Sequence, residues 1–145
     1  MPSTIQGIKT ALVAAGLEIY RVQRQEIEIA ERIRLHLMDS SVRARLTDSG
    51  DGFEVRFTAR SQRSDHPGRK TEELFELVRR VVGLDAQARG FQEMAASAND
   101  VTDPLDKQKI LDVWYEVVYA KPVPTVEALT EEIKWALAIE RYVAR

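Results

Sequence analysis

The last third of the chain, Asp103 to Val143, constrains the fold more than any other stretch. It reads DPLDKQKILDVWYEVVYA, then KPVPT, then VEALTEEIKWALAIERYV. Asp103 as N-cap, Pro104 as first helical residue and Asp106 in the first turn form a helix-start signal. The predicted helix runs to about Ala120, and Pro122 and Pro124 stop it. Thr125 then caps a final helix whose buried stripe is Val126, Leu129, Ile133 and Leu137. Trp135, Ile139 and Tyr142 make a second stripe, more apolar surface than a two-helix contact needs. The run VWYEVVYA also has high β-propensity, so a buried strand is the competing reading there.

Upstream, Ser3 with Gln6 three residues later has the form of a capping box. Ile5, Ile8, Leu12, Ala15, Ile19 and Val22 lie at steps of three and four, which predicts a helix from about residue 4 to 22. Gly16 either sits inside it or ends it, leaving LEIYRVQ as a short strand. Glu26 to Met38 fits both periods. Its helix formers, Ala30, Glu31 and the arginines, favour helix. The clearest β signal is the pair of alternating runs Val42–Leu46 and Phe53–Arg60 around DSGDG, which predicts a β-hairpin over 42–60. A polar loop, SQRSDHPGRK, leads to a helix from Thr71 to about Gly83, with Glu72 and Glu73 early and Arg79 and Arg80 late, as the helix dipole favours. Residues 85–102 are small and polar. Phe91 and Met94 are their anchors, and one short helix is expected there.

These elements predict a mainly α single domain, 1–145: a compact bundle of about five helices with one docked β-hairpin. The length suffices for one core. No run approaches the roughly 20 apolar residues that a membrane helix needs. The sequence holds no cysteine, which excludes disulfides, thiolate metal sites and cysteine nucleophiles and fits a cytoplasmic protein. With two histidines, no HExxH and no GxSxG, catalysis has little support. His36 reads as an edge or structural residue and His66 as part of a turn. DSGDG resembles half a calcium loop but lacks the closing acid, and a turn accounts for it. No cofactor or metal is expected.

Charge is uneven: residues 1–70 hold 12 Lys/Arg against 9 Asp/Glu, and residues 71–145 hold 9 against 14. On the hairpin, inward Val42, Ala44, Phe53, Val55 and Phe57 leave Arg43, Arg45, Arg56 and Arg60 on one outward face. Arginine forks match phosphate and carboxylate groups, so this face is the candidate site for an anionic ligand or nucleic acid. It lacks the aromatics that single-strand binders use for stacking. Trp135, Ile139 and Tyr142 are the candidate interface, for self-association as a homodimer or for another protein.

Two stretches, EIYRVQRQEIEIAER (Glu18 to Arg32) and DPLDKQKILDVWYEVVYA, resemble the tellurite-resistance TerB family over about half the chain. The resemblance implies an all-helical fold and an association with bacterial stress response. Gln23, Arg24 and Lys121 stand where that family carries acidic residues, so no metal ligands carry over. The expectation is a non-enzymatic binding or scaffold module. The alternatives are an anion or nucleic-acid binder using the arginine face, and a small secretion-type chaperone with an α/β sandwich. The last requires strands at 17–23, 31–38 and 112–120.

Overall fold

The computed structural model describes residues 4–47 and 52–144. Ser3 of the expected capping box and residues 48–51 of the expected hairpin turn lie outside the described residues. The elements are α1 (Ile5–Ala14), β1 (Ile19–Val22), β2 (Glu26–Ile33), β3 (His36–Leu46), β4 (Phe53–Gln62), α2 (Thr71–Val78), α3 (Leu84–Ala88), β5 (Gln92–Asp103), β6 (Asp106–Val123) and α4 (Val126–Ala138). A π-turn over Arg79–Gly83 joins α2 to α3. The strands form a six-stranded antiparallel sheet in the order β1-β2-β3-β4-β6-β5. Strand therefore predominates, and the expected bundle of about five helices is corrected.

Each correction has a local cause. Gly16 has φ +90° and ends α1 early, so Ile19 and Val22 fall in β1 rather than on a helix face. Glu26 to Met38 becomes β2, a tight turn and the start of β3. The turn is two residues long, and Arg34 adopts φ +59° in it. Asp103 and Asp106 serve a turn instead of a helix start. Leu105 N–H donates to the Asp103 carboxylate at 2.9 Å and Gln108 N–H to that of Asp106 at 3.1 Å. An Asp side chain that accepts a nearby backbone N–H is the shared ingredient of caps and turns, so the two look alike in sequence. Beyond it Val113, Tyr115, Val117 and Tyr119 are buried while the residues between them are half-exposed, the period of two that marks a strand. Both stretches resembling TerB thus lie largely in strands, which overturns the helical fold that the resemblance implied. The hairpin at 42–60 is present as β3 and β4, with Val42 opposite Phe57 and Leu46 opposite Phe53. Thr125 caps α4, its hydroxyl accepting from Ala128 N–H at 3.1 Å.

The chain divides into two compact units: Met1–Phe57 with Ala120–Ile139, and Thr58–Tyr119 with Glu140–Arg145. In the first, β1, β2, β3 and the start of β4 carry α1 and α4. Two cross-strand rows build its core, Ile27–Ala44–Val55 and Ile29–Val42–Phe57, all fully buried. Ile8 and Leu12 of α1 and Leu129, Ile133 and Ala136 of α4 are fully buried too. Trp135 stands edge-on to Phe57, centroids 6.1 Å apart. Lys121, at the expected hinge, pairs with buried Glu132 at 3.2 Å.

In the second unit the helix from Thr71 to Ala88 buries Leu74, Phe75, Val78, Val82 and Ala86. Phe75 meets Tyr115 of β6 edge-to-face at 5.4 Å. The fully buried Tyr119 presses its hydroxyl toward the backbone at Gly83. His66 is buried, its Nε2 3.1 Å from the Val143 carbonyl. No described helix is long and apolar enough to cross a membrane.

Candidate functional site

The outward face of β2, β3 and β4 carries three of the four candidate arginines, and each faces a carboxylate. Register sets Glu28 opposite Arg43 and Arg43 opposite Arg56, then Glu26 opposite Arg45 and Arg45 opposite Glu54. Arg43 grips Asp39 with a two-pronged hydrogen bond, 2.6 and 2.8 Å. It also lies 3.9 Å from Glu26 and 4.0 Å from Glu28. Arg45 reaches Glu26 at 3.4 Å and Glu54 at 3.9 Å, and Arg56 pairs with Glu54. Glu28, only 2% exposed, takes Arg21 at 2.8 Å and Gln23 at 2.6 Å on one oxygen. Burial pushes the Asp39 carboxyl up. The hydrogen bonds from Arg43 and the Ser41 backbone, with Arg43's charge, outweigh that and hold it below its ordinary value.

Four cations (Arg21, Arg43, Arg45, Arg56) thus stand among four anions (Glu26, Glu28, Asp39, Glu54). Such a face is a charge-neutral lattice, and it presents no net positive potential to a polyanion. Its side chains are committed to neighbours, so an incoming phosphate would have to displace carboxylates already in place.

Arg60, the fourth candidate, belongs to the second unit. Its guanidinium stacks 3.8 Å above the Trp114 ring and lies 5.6 Å from the Tyr142 ring. Tyr142 hydrogen-bonds through its hydroxyl to the Gln62 side chain. The expected stripe of Trp135, Ile139 and Tyr142 is not one helical face. Helix α4 stops at Ala138, Ile139 is extended (φ −86°, ψ 158°), and Tyr142 lies in a bridge beside Arg60. All three are half-buried.

Apolar surface lies elsewhere. Among the described residues of the first unit, the exposed large apolar side chains all fall within residues 13–38. Val13, Tyr20, Ile33 and Met38 are about half exposed, and Leu35, in the two-residue turn, is 91% exposed. Val13 and Leu17 with Tyr20 and Val22 line an open cleft of about 540 Å³ between α1 and β1, the strand at one edge of the sheet. In the second unit Leu105, in the other two-residue turn, is 96% exposed, and Met94, Ile110 and Leu111 are also exposed. Among the described residues no cluster of His, Asp and Glu could hold a metal ion.

No family model, no curated protein and no solved structure matches the chain.

Sequence reasoning located the arginines but missed their partners and missed Trp114, Tyr20, Leu35 and Leu105. The alternation of VWYEVVY, read as a strand, would have put Trp114 on the outward face with Asp112 and Glu116. Leu35 and Leu105 carry a usable signal as well: turn positions are mostly polar, and a leucine at either of these gains almost no burial.

Proposed function

We propose that this chain is a non-enzymatic protein-binding module of the small-chaperone kind, engaging an extended apolar segment of a partner. The observation that carries this reading is the exposed apolar surface within residues 13–38: Val13, Tyr20 and Val22 at the α1–β1 cleft, and Ile33, Leu35, Leu37 and Met38 at the β2–β3 turn. An edge strand offers unpaired backbone groups to an added strand, and flanking apolar side chains supply affinity and selectivity. Isolated exposed leucines are ordinary, but a cluster along one open edge is the mark of an interaction surface. Strands Ile19–Val22 and Asp106–Val123 fall in two of the three segments that a chaperone-type sandwich requires, while the third, 31–38, is split by the two-residue turn between Glu26–Ile33 and His36–Leu46. The arginine lattice favours this reading over nucleic-acid binding, because its charges are already paired. A cytoplasmic location is part of the proposal, in keeping with a sequence free of cysteine.

The test is a library of immobilised extended 12-residue peptides probed with wild type, Tyr20→Asp and Leu35→Asp. Wild type is expected to select apolar peptides, and each substitution to weaken binding about tenfold, with unfolding midpoints unchanged. Uniform failure to bind apolar peptides, or equal binding by all three proteins, would count against the proposal. Sedimentation of the same proteins separates a partner segment from a second copy: a concentration-dependent dimer lost in Tyr20→Asp assigns the edge to self-association.

A further inference from the structure

Arg60 differs from the other strand arginines in what it lacks. Among the described residues no carboxylate lies within ion-pair distance of it, and its side chain meets the rings of Trp114 and Tyr142. Stacking uses the face of a guanidinium and leaves its five N–H donors directed outward in the plane. The backbone at this point is fixed. Arg60 N–H donates to the Arg141 carbonyl and Val143 N–H to the Arg60 carbonyl, both at 2.8 Å. Tyr142 is in turn held by Gln62. Beside this clamped cation, the indole Nε1–H of Trp114 is buried and has no acceptor among the described residues. A buried donor without an acceptor costs free energy unless something supplies one.

We propose that Arg60 and Trp114 form a binding site for a single carboxylate, with Tyr142 as its second aromatic wall. The carboxylate takes the guanidinium fork, and its binding opens the buried indole N–H to the nearer oxygen. A monoanion fits better than a phosphate dianion. Arg60 is the one cation stacked on Trp114, and Asp112 and Glu116 flank Trp114 on the same face of β6. Asp112 is fixed there by Ser64, whose backbone N–H and hydroxyl donate to it at 3.0 and 2.7 Å. The carboxylate can come from an acidic side chain or from a chain terminus. The site does not depend on the apolar edge, and either can fail alone.

The sequence contains two tryptophans, which makes a direct reading possible. Protein labelled with ¹⁵N at tryptophan gives one indole N–H signal from Trp114 and one from Trp135, assigned by Trp135→Phe. The probes are acetyl-glutamate amide, which carries only a side-chain carboxylate, acetyl-alanine, which carries only a terminal one, and inorganic phosphate. A saturable shift of the Trp114 signal with either carboxylate, while Trp135 stays fixed, supports the site, and the more effective probe identifies the source. Arg60→Gln should weaken binding about tenfold or more, as loss of a charge-assisted hydrogen bond does. Arg60→Lys, which keeps the charge but not the fork, should also weaken it and stands in if Arg60→Gln does not fold. No saturable shift with either carboxylate, an unchanged response in both Arg60 variants, or tighter binding of phosphate than of both carboxylates would overturn the proposal.

Discussion

Gly83 and Tyr119 offer a quantitative test of the second unit's packing. A Cβ placed on Gly83 would lie 2.6 Å from the Tyr119 hydroxyl oxygen and 3.4 Å from ring carbon Cζ. Gly83 has helical dihedrals, φ −63° and ψ −35°, so backbone preference alone makes Gly83→Ala stabilising by about 1 kcal/mol. The clash opposes this. Tyr119 is fully buried and cannot swing aside into solvent, and overpacking of this kind costs about 1–3 kcal/mol. Gly83→Ala should therefore leave the protein destabilised by up to about 2 kcal/mol. Tyr119→Phe removes the offending oxygen, and the next contact, at 3.4 Å, is tolerable. In that background Gly83→Ala should recover its gain of about 1 kcal/mol. The expected coupling between the two sites is thus about 1–3 kcal/mol. Equilibrium urea unfolding of the four proteins, monitored by far-ultraviolet circular dichroism, measures it from the midpoints at constant slope. Coupling within about 0.5 kcal/mol of zero would refute the packing argument. Tyr119 adds an alkaline signature. Burial, chiefly, pushes its hydroxyl up to about 12. The unfolded chain ionises first, so its contribution is full below pH about 10 and is lost as pH rises toward 12, a loss that Tyr119→Phe should not show.

The first unit yields two further outcomes. Asp39 is held below its ordinary value, so its contribution to stability is present above the unfolded carboxyl value of about 3.9 and is lost as pH falls through the lower folded value; Asp39→Asn should flatten that part of the acid-unfolding profile. Ser40 is buried, its hydroxyl donating to the Ile29 carbonyl at 2.6 Å and accepting from Val42 N–H at 3.1 Å, so Ser40→Ala should cost about 1–2 kcal/mol in urea unfolding while Ser40→Thr tests whether the hydroxyl alone suffices.

Alternation was legible wherever one face is buried and the other charged. Val42–Leu46 and Phe53–Arg60 declared themselves, and the cap at Thr125 did too. Failure came where a signal serves two structures. Asp103-Pro104-Leu105-Asp106 is as good a turn as a helix start, and the residues downstream decide between them. Val113 to Tyr119 was the deciding stretch, since its β-branched and aromatic residues fit a pleated surface better than a helix. Ile29, Ile33 and Leu37 misled in a different way. Their spacing of four is the helical step, but Ile29 is fully buried on one side of a bulge while Ile33 and Leu37 are exposed beyond it. The spacing reflects no common face.

The candidate site shows a deeper limit, because its electrostatics depend on register rather than on face. The β2–β3 turn pairs Ile33 with His36 and, continuing inward, Ala30 with Asp39. Continued without interruption, that register would set Ile29 opposite Ser40, Glu28 opposite Ser41 and Glu26 opposite Arg43. Ser40 and Ser41 instead form a bulge, with Ser41 at φ +67°, and pairing resumes at Ile29 opposite Val42. The two inserted residues keep every side chain on its own face but move it two places along. Only then does Arg43 meet Glu28 and Arg45 meet Glu26. The arginines could be placed on one face from alternation, but which carboxylate each one meets across β2 and β3 is set by one hydroxyl that bonds the Ile29 carbonyl and one serine in a left-handed conformation. Neither leaves a periodic trace in the sequence. A basic patch read from a strand pattern therefore becomes an anion site only after the cross-strand partner of each arginine is known, and here Arg60 alone, of the four candidates, comes through that step without a carboxylate among the described residues.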